Sequence, residues 1–225
     1  MSWLAHVTEQ FVFKRHIPRL DLRWLLVGGM APDGLGMLKV LIYTHVLDYN
    51  QHRGVDPANP DVYVPMQFGV MHTIFFGICL TILVYLYYLR KNEWVRNELA
   101  IVCSVSVLVG EVSHIISDSF DSLGCMWLWP FISETYPIGL WEYRAQYGLY
   151  NDFMYFHWGN KWAPFIECFF ATWAAYILYK NPNVEWGNKI VRIKRKWARN
   201  FGIGYAAFLW IPYFILNYII DYNFG

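Results

Sequence analysis

Charged residues are scarce in this sequence, and their scarcity narrows the possible function classes. Lysine and arginine total 18 and aspartate and glutamate 17, only 16% of 225 residues against roughly 25% in soluble domains. The net charge of +1 gives no global basic field, so nucleic acid is not predicted as a partner. The four cysteines form no CxxC pair, and a disulfide between Cys125 and Cys168 stays open. Charges and Pro18 interrupt the N-terminal stretch, which is not typical of a signal peptide.

Apolar and aromatic residues are abundant instead. Hydrophobic residues make up 56% of the chain and aromatic residues 20%, including 12 Trp and 17 Tyr, which suit the two interfaces of a membrane. The apolar residues come in blocks of roughly 20, the length that crosses a bilayer as a helix. The composition therefore predicts a multi-pass protein of the cell membrane, in contact with membrane lipids.

The apolar blocks predict an all-α fold, a polytopic membrane helix bundle of about five spans forming a single domain over residues 1–225. The predicted spans are residues 24–47, 68–89, 99–118, 162–179 and 201–220. A short amphipathic helix is predicted at residues 3–13, a polar loop at 48–65 and a basic amphipathic segment from Lys189 to Arg199.

The first span is predicted to be broken or re-entrant, because Pro32-Asp33-Gly34 interrupts it. In the alternative interpretation Asp33 caps a turn between two short helices.

Lysine and arginine are clustered before the first span, between spans two and three, and between spans four and five. The positive-inside rule places these links in the cytoplasm, with the N-terminus inside and the C-terminus outside. His72, His114, Asp118 and Glu167 then all lie toward the extracytoplasmic side. The sequence therefore predicts that they converge.

A long segment rich in aromatic residues, the aromatic segment (residues 119–161), separates the third and fourth spans. It is too long for a plain connection. We expect it to be a lid over the site or a docking surface for a protein partner, since exposed apolar patches mark contact surfaces.

The third span carries the strongest chemical signal. Glu111, His114 and Asp118 are three and four residues apart, which places them on one helical face. Ionisable side chains in a membrane-length helix usually face a cavity, a partner or the bundle interior. A histidine and an aspartate four apart can hold one cation, although ordinary interior hydrogen bonds would give the same pattern.

Three blocks together resemble the membrane-bound metal-dependent hydrolase family, described as LexA-regulated inner-membrane hydrolases. The blocks are Gly29-Met30-Ala31-Pro32-Asp33, Gln67-Phe68-Gly69-Val70-Met71-His72-Thr73, and Ser113-His114-Ile115-Ile116-Ser117-Asp118 followed by Gly124 and Leu128-Trp129-Pro130. The resemblance covers residues 1–131, and the histidine near the N-terminus of that family corresponds to His6. It implies metal-assisted hydrolysis of a phosphoester or similar ester, of a lipid or envelope substrate.

The sequence also departs from that family. Leu35 replaces the second aspartate of the first block, and Gln67-Phe68 replaces a His-Arg pair in the second. We therefore expect one divalent ion, zinc, rather than two. Its expected ligands are Asp33, His72, His114 and Asp118.

Glu111 is the candidate for the catalytic general base or for a group that orients the His114 ring. For His6, Glu167, Asp152 and His157, a packed, ion-paired or otherwise structural role weighs as much as a functional role or more.

Two alternatives remain at this stage. One is a non-catalytic accessory subunit of a larger membrane protein complex, favoured by the motif departures and the aromatic segment. The other is a transporter or channel, against which the lack of inverted repeats argues.

Overall fold

A computed structural model gives the fold of residues 3–41, 55–56, 59–63, 70–93, 97–120, 124–138, 162–187 and 189–224. These residues are mostly helical. The helices are α1 (Trp3–His16), α2 (Leu22–Leu41), α3 (Ile74–Lys91), α4 (Glu98–Asp118), α5 (Trp162–Lys180) and α6 (Arg195–Phe224). Each apolar block therefore contains a helix, as predicted.

Two short antiparallel hairpins were not predicted. β1 (Val55–Asp56) pairs with β2 (Asn59–Tyr63) inside the segment predicted to be a polar loop. β3 (Asn183–Trp186) pairs with β4 (Lys189–Arg192). The second hairpin takes up the start of the predicted basic amphipathic segment, and α6 takes up the rest. Both are local pairings of neighbouring residues, which hydrophobic periodicity does not reveal in strands this short.

In the part of the chain that the structure describes, two helices, α3 and α4, are long and apolar enough to cross a membrane, judged by length and composition. Val84 and Tyr88 of α3 pack against Ala100, Cys103 and Val107 of α4 in one buried cluster. The short connection between the two helices makes them antiparallel neighbours. The start of α3 and the end of α4 therefore lie at the same end of this pair.

The predicted break in the first span is wrong, since α2 is one helix that continues through Pro32. Asp33 therefore projects from a helix and does not cap a turn. Proline has no N–H, so the carbonyl of Gly28 loses its helical donor, at a cost of about 3 kcal/mol in a helix interior. Pro32 is fully buried in the bundle, where neighbouring groups can satisfy a freed backbone carbonyl. Residues 42–47 of the predicted span lie outside the described part of the chain.

α2 and α4 run parallel and in close contact. The backbone N–H of Asp21 donates to Ser106 Oγ at 2.8 Å, and His114 Nδ1 bonds the Gly29 carbonyl at 2.8 Å, each across 85 residues. The two contacts lie two helical turns apart on both helices. A Cβ atom at Gly110 would collide with the α2 backbone, so the missing side chain permits the approach. This pairing sets the axial register of α2 relative to the end of α4.

The first part of the aromatic segment folds back onto the helix ends. The carbonyl of Trp127 accepts a hydrogen bond from the N–H of Ile74 at 3.1 Å, and the indole N–H of Trp127 donates to Ser119 Oγ at 2.7 Å. Cys125 and Tyr136 form an isolated β-bridge. Residues 121–123 and 139–161 lie outside the described part, so the lid and docking interpretations stay predictions.

Candidate metal centre

The centre is built on the last turns of α4. Residues 114 and 118 are four apart, so their side chains leave the helix on one face. His114 and Asp118 are both buried, and His114 Nε2 lies 3.3 Å from Asp118 Oδ2. The contact predicted from the spacing of these two residues is therefore confirmed.

Asp33 and His72 reach the same point from two other elements. Asp33 projects from α2, and His72 directly precedes Thr73, the N-cap of α3. His72 Nε2 lies 3.4 Å from Asp33 Oδ1 and 3.6 Å from Asp118 Oδ2. One ligand atom from each of the four buried residues lies within 4.8 Å of the others. The predicted convergence is confirmed for His72, His114 and Asp118, whereas the side chain of Glu167 lies outside the described part of the chain. With Asp33 these three residues form a four-residue group (Asp33, His72, His114 and Asp118) that can hold a metal ion.

The ring of His114 is oriented for coordination. Its Nδ1 must donate to the Gly29 carbonyl at 2.8 Å, because a carbonyl can only accept. In the neutral ring Nε2 then keeps its lone pair. Nε2 faces Asp33 Oδ1 at 3.8 Å and Asp118 Oδ2 at 3.3 Å, yet it has no hydrogen-bond partner among the described residues. An imidazole lone pair facing two carboxylates fits a cation such as zinc between them.

α1 brings further polar side chains to this centre. His6, Glu9 and Gln10 lie three and four residues apart and are buried. The polar face of this predicted amphipathic helix therefore points into the protein and not toward water. His6 Nε2 lies 3.3 Å from Asp118 Oδ1, and its ring stacks on that of His114 with centroids 3.8 Å apart.

Hydrogen bonds join α1 to α4 beside the centre. Ser117 Oγ lies 3.0 and 3.1 Å from the two carboxylate oxygens of Glu9, to which it donates. Gln10 Nε2 donates to Ser113 Oγ at 2.9 Å. The sequence interpretation missed Glu9 and Gln10. The signal that could have found them is the helical spacing of three and four residues that places His6, Glu9 and Gln10 on one face of the predicted helix.

Burial and charge act in opposite directions on His6. Burial alone would lower the pKa of His6, but the neighbouring Asp118 carboxylate, with a smaller contribution from Glu9, outweighs it and raises the pKa to about 9. The carboxylates therefore favour a positive charge at the position of this side chain.

Glu111 lies one helical turn before His114 but outside the four-residue group. Its side chain packs against α3, where a Cβ atom on Gly77 would lie 2.6 Å from Glu111 Cγ. Both of its carboxylate oxygens are buried and without a hydrogen-bond partner among the described residues. The group that orients the His114 ring is the Gly29 carbonyl.

Several residues weighed in the sequence lie outside the described part of the chain. They are His52, Asp152, His157 and the side chain of Glu167. Cys125 and Cys168 are described, both are buried, and no disulfide joins them.

Comparison with known families identifies a family to which most of the chain is similar. The family model described as YdjM inner membrane protein matches residues 4–184, which include the whole four-residue group. No curated protein and no solved structure matches the chain.

Proposed function

The chain belongs to the YdjM inner membrane protein family, and on that premise we propose that it is a membrane-embedded metal-dependent hydrolase. Its substrate in this proposal is a phosphoester or similar ester derived from a lipid, which can approach a site built among membrane helices. The observation that carries the proposal is the four-residue group, in which the unpartnered Nε2 of His114 faces two buried carboxylates.

One zinc ion is the proposed occupant of the four-residue group. Two imidazole nitrogens and two carboxylate oxygens suit zinc better than calcium, which prefers an all-oxygen shell. When bound, zinc activates water as a nucleophile near neutral pH and polarises a phosphoryl or carbonyl oxygen.

Glu111 is the proposed general base. It lies on the face of α4 that carries His114, and none of the described residues binds its two carboxylate oxygens. Those oxygens are therefore free to accept a proton from an attacking water. The close approach of Gly77 holds the side chain in place.

We also propose five membrane spans, with the site toward the extracytoplasmic side. α2 and α4 run parallel to each other, and α3, which lies between them in the sequence, runs antiparallel to α4. Three successive membrane crossings require this alternation. Basic residues lie at the end opposite the site: Lys14 pairs with Glu185 of β3 at 2.7 Å, the Arg23 guanidinium lies against Gly187, and Arg90 and Lys91 end α3. This separation supports a cytoplasmic basic end.

Hydrolysis of chromogenic phosphomonoesters and phosphodiesters by the zinc-loaded protein in detergent tests the proposal. Glu111→Gln should keep its zinc and lose about 100-fold or more in kcat, the usual contribution of a general base. The matched control is Glu98→Gln, an exposed glutamate of the same helix. An unchanged kcat for Glu111→Gln would contradict the role of Glu111, and zinc-loaded protein without turnover would contradict the hydrolase.

A non-catalytic accessory subunit with a structural metal is the second candidate. The observation in its favour is the burial of all four ligand residues, between 0 and 7% exposed, because structural zinc sites are closed whereas catalytic sites keep an open position. Zinc retained without turnover, in protein that co-purifies with a partner through the aromatic segment, would favour this function.

A further inference from the structure

Each carboxylate of the four-residue group presents its two oxygens to different imidazoles. Asp118 Oδ2 lies 3.3 Å from His114 Nε2 and 3.6 Å from His72 Nε2, whereas Oδ1 lies 3.3 Å from His6 Nε2. Asp33 repeats the pattern, with Oδ1 3.8 and 3.4 Å from the first two rings and Oδ2 4.0 Å from His6 Nε2. Each carboxylate therefore lies between the imidazoles of His72 and His114 on one side and the imidazole of His6 on the other.

His6 is buried without a hydrogen-bond partner among the described residues. Its side chain is fully enclosed, and neither ring nitrogen has a hydrogen-bond partner among the described residues. Stacking on His114, with 25° between the ring planes, holds the imidazole in place. A buried polar group left without a hydrogen bond destabilises the folded protein. A ligand between Nε2 and the two aspartates would remove that destabilisation.

Glu9 stands behind His6 as a carboxylate commonly stands behind a ligating histidine. Its Oε2 lies 3.6 Å from His6 Nδ1, a charge contact longer than a hydrogen bond, and Ser117 Oγ donates a hydrogen bond to the carboxylate from the other side. Such outer partners fix the ring and make the ligating nitrogen more basic. His114 has the Gly29 carbonyl in the corresponding role.

When His6 is neutral, as a metal-ligating imidazole is, the negative charge of the cluster exceeds what one divalent ion balances. Asp33, Asp118 and Glu9 are three buried carboxylates, and a single divalent cation neutralises two of them. Buried charges are costly unless they are paired. A further cation between His6 and the two aspartates would offset the remaining negative charge, that of Glu9 on the other side of the His6 ring.

From this geometry we propose a second divalent-cation position, with His6 Nε2, Asp33 Oδ2 and Asp118 Oδ1 as its ligands. It rests on the proposed function, which supplies the first ion at the four-residue group, and each aspartate has one oxygen facing each of the two positions. His6 of α1 thus provides a ligand although the second aspartate and the His-Arg pair of the sequence motifs are missing. Two ions suit phosphoryl transfer, because they stabilise both the attacking and the leaving oxygen. The substrate class is therefore a phosphoester rather than a carboxylic ester.

Counting zinc ions per chain by mass spectrometry tests this second position in detergent-purified protein after loading and desalting. We expect two ions in the natural protein, one in His6→Ala, and two in His16→Ala, which replaces an exposed histidine of the same helix. One ion in both the natural protein and His6→Ala would overturn the second position and leave the proposed hydrolase standing. No ion in the natural protein would overturn both, and two ions in His6→Ala would place the second ion elsewhere.

Two further measurements, on a milder variant and by spectroscopy, test the same position if His6→Ala does not fold. Glu9→Gln keeps the size of the side chain and should weaken binding of the second zinc about 10–100-fold, as loss of an outer partner does. Manganese-loaded natural protein should give the electron paramagnetic resonance spectrum of a coupled pair, whereas His6→Ala should give that of an isolated ion. An isolated-ion spectrum in both proteins would overturn the pair of ions.

Discussion

His114 is the residue on which metal binding depends most, because one of its nitrogens is fixed by a backbone carbonyl and the other faces both aspartates. We expect His114→Ala to abolish zinc retention at the four-residue group. His16→Ala should retain zinc, since His16 is an exposed residue near Trp173, with ring centroids 5.5 Å apart. Equilibrium dialysis against zinc measures both variants. Equal loss in the two variants would show that the effect is not specific to the centre.

The residues of the centre differ in how well their positions could be predicted from the sequence. His114 and Asp118 could be predicted, because a four-residue spacing on one helix places their side chains together whatever the tertiary structure. His6 could not, because its partner Asp118 comes from a helix more than a hundred positions away in the chain. Only the packing of α1 against the other helices brings them together.

Asp21 stabilises the start of α2. Its Oδ1 accepts a hydrogen bond from the N–H of Arg23 at 2.9 Å, as an N-cap does, and its Oδ2 lies 2.7 Å from the Arg23 guanidinium. We expect Asp21→Ala to cost about 1 kcal/mol in the free energy of unfolding. Asp21→Asn should cost less, because it keeps the cap.

The same aspartate gives a pH dependence of known sign. Burial would raise the pKa of Asp21, but the hydrogen bond and charge of Arg23 outweigh it and hold the pKa below its ordinary value of 3.8. Its ionic contribution to stability is therefore complete above pH 3.8 and is lost as the pH falls through the lower value in the folded protein. The difference in melting temperature between natural protein and Asp21→Asn should shrink from pH 7 to pH 3. A difference that grows on acidification would contradict this.

Close packing of α2 on α4 predicts unequal effects at two glycines of α2. A Cβ atom at Gly28 would collide with the Val107 carbonyl, whereas nothing lies within 4 Å of one at Gly34. Gly28→Ala should therefore destabilise the protein by about 1–3 kcal/mol through overpacking. Gly34→Ala should be neutral or gain up to about 1 kcal/mol, because alanine is the better helix former. Melting temperatures in detergent check this, and equal shifts in both variants would contradict the close contact.

Proline chemistry explains why the continuity of α2 was not predictable. Proline lacks an N–H donor and clashes with the preceding turn, so an isolated helix would break at Pro32. In the folded chain the helix is embedded against α4 through Gly28 and Gly110, where packing outweighs the lost hydrogen bond. Information of this kind lies in the contact between two segments and not in either segment alone.

The orientation of the whole molecule can be tested at its two ends. In a background without the natural cysteines, Asn92→Cys at the end of α3 should react with a membrane-impermeant thiol reagent only after the membrane is opened. Val70→Cys, two residues before His72 and 40% exposed, should react in intact cells. The reverse pattern would invert the proposed topology.

For the whole molecule, the sequence predicted a helical membrane protein and the convergence of four ligand residues. Composition sufficed for the first, since blocks such as residues 99–118 are apolar over a membrane-crossing length. The convergence followed from the positions of His72 and Asp118 at neighbouring helix ends. The two small hairpins could not be predicted, because strands this short leave no periodic signal. The spacing of His6, Glu9 and Gln10 indicates one polar face of α1, but only the contact with α4 shows that this face is buried.

The hydrogen bonds between α1 and α4 also set an order of events during synthesis. Glu9 and Ser117 are 108 residues apart, and a ribosome adding about 5–20 residues per second takes about 5 to 20 seconds to pass from one to the other. During that interval His6, Glu9 and Gln10 exist without the partners that α4 provides. The centre is therefore completed only once the last turn of α4 has been translated, long after the first of its residues has left the ribosome.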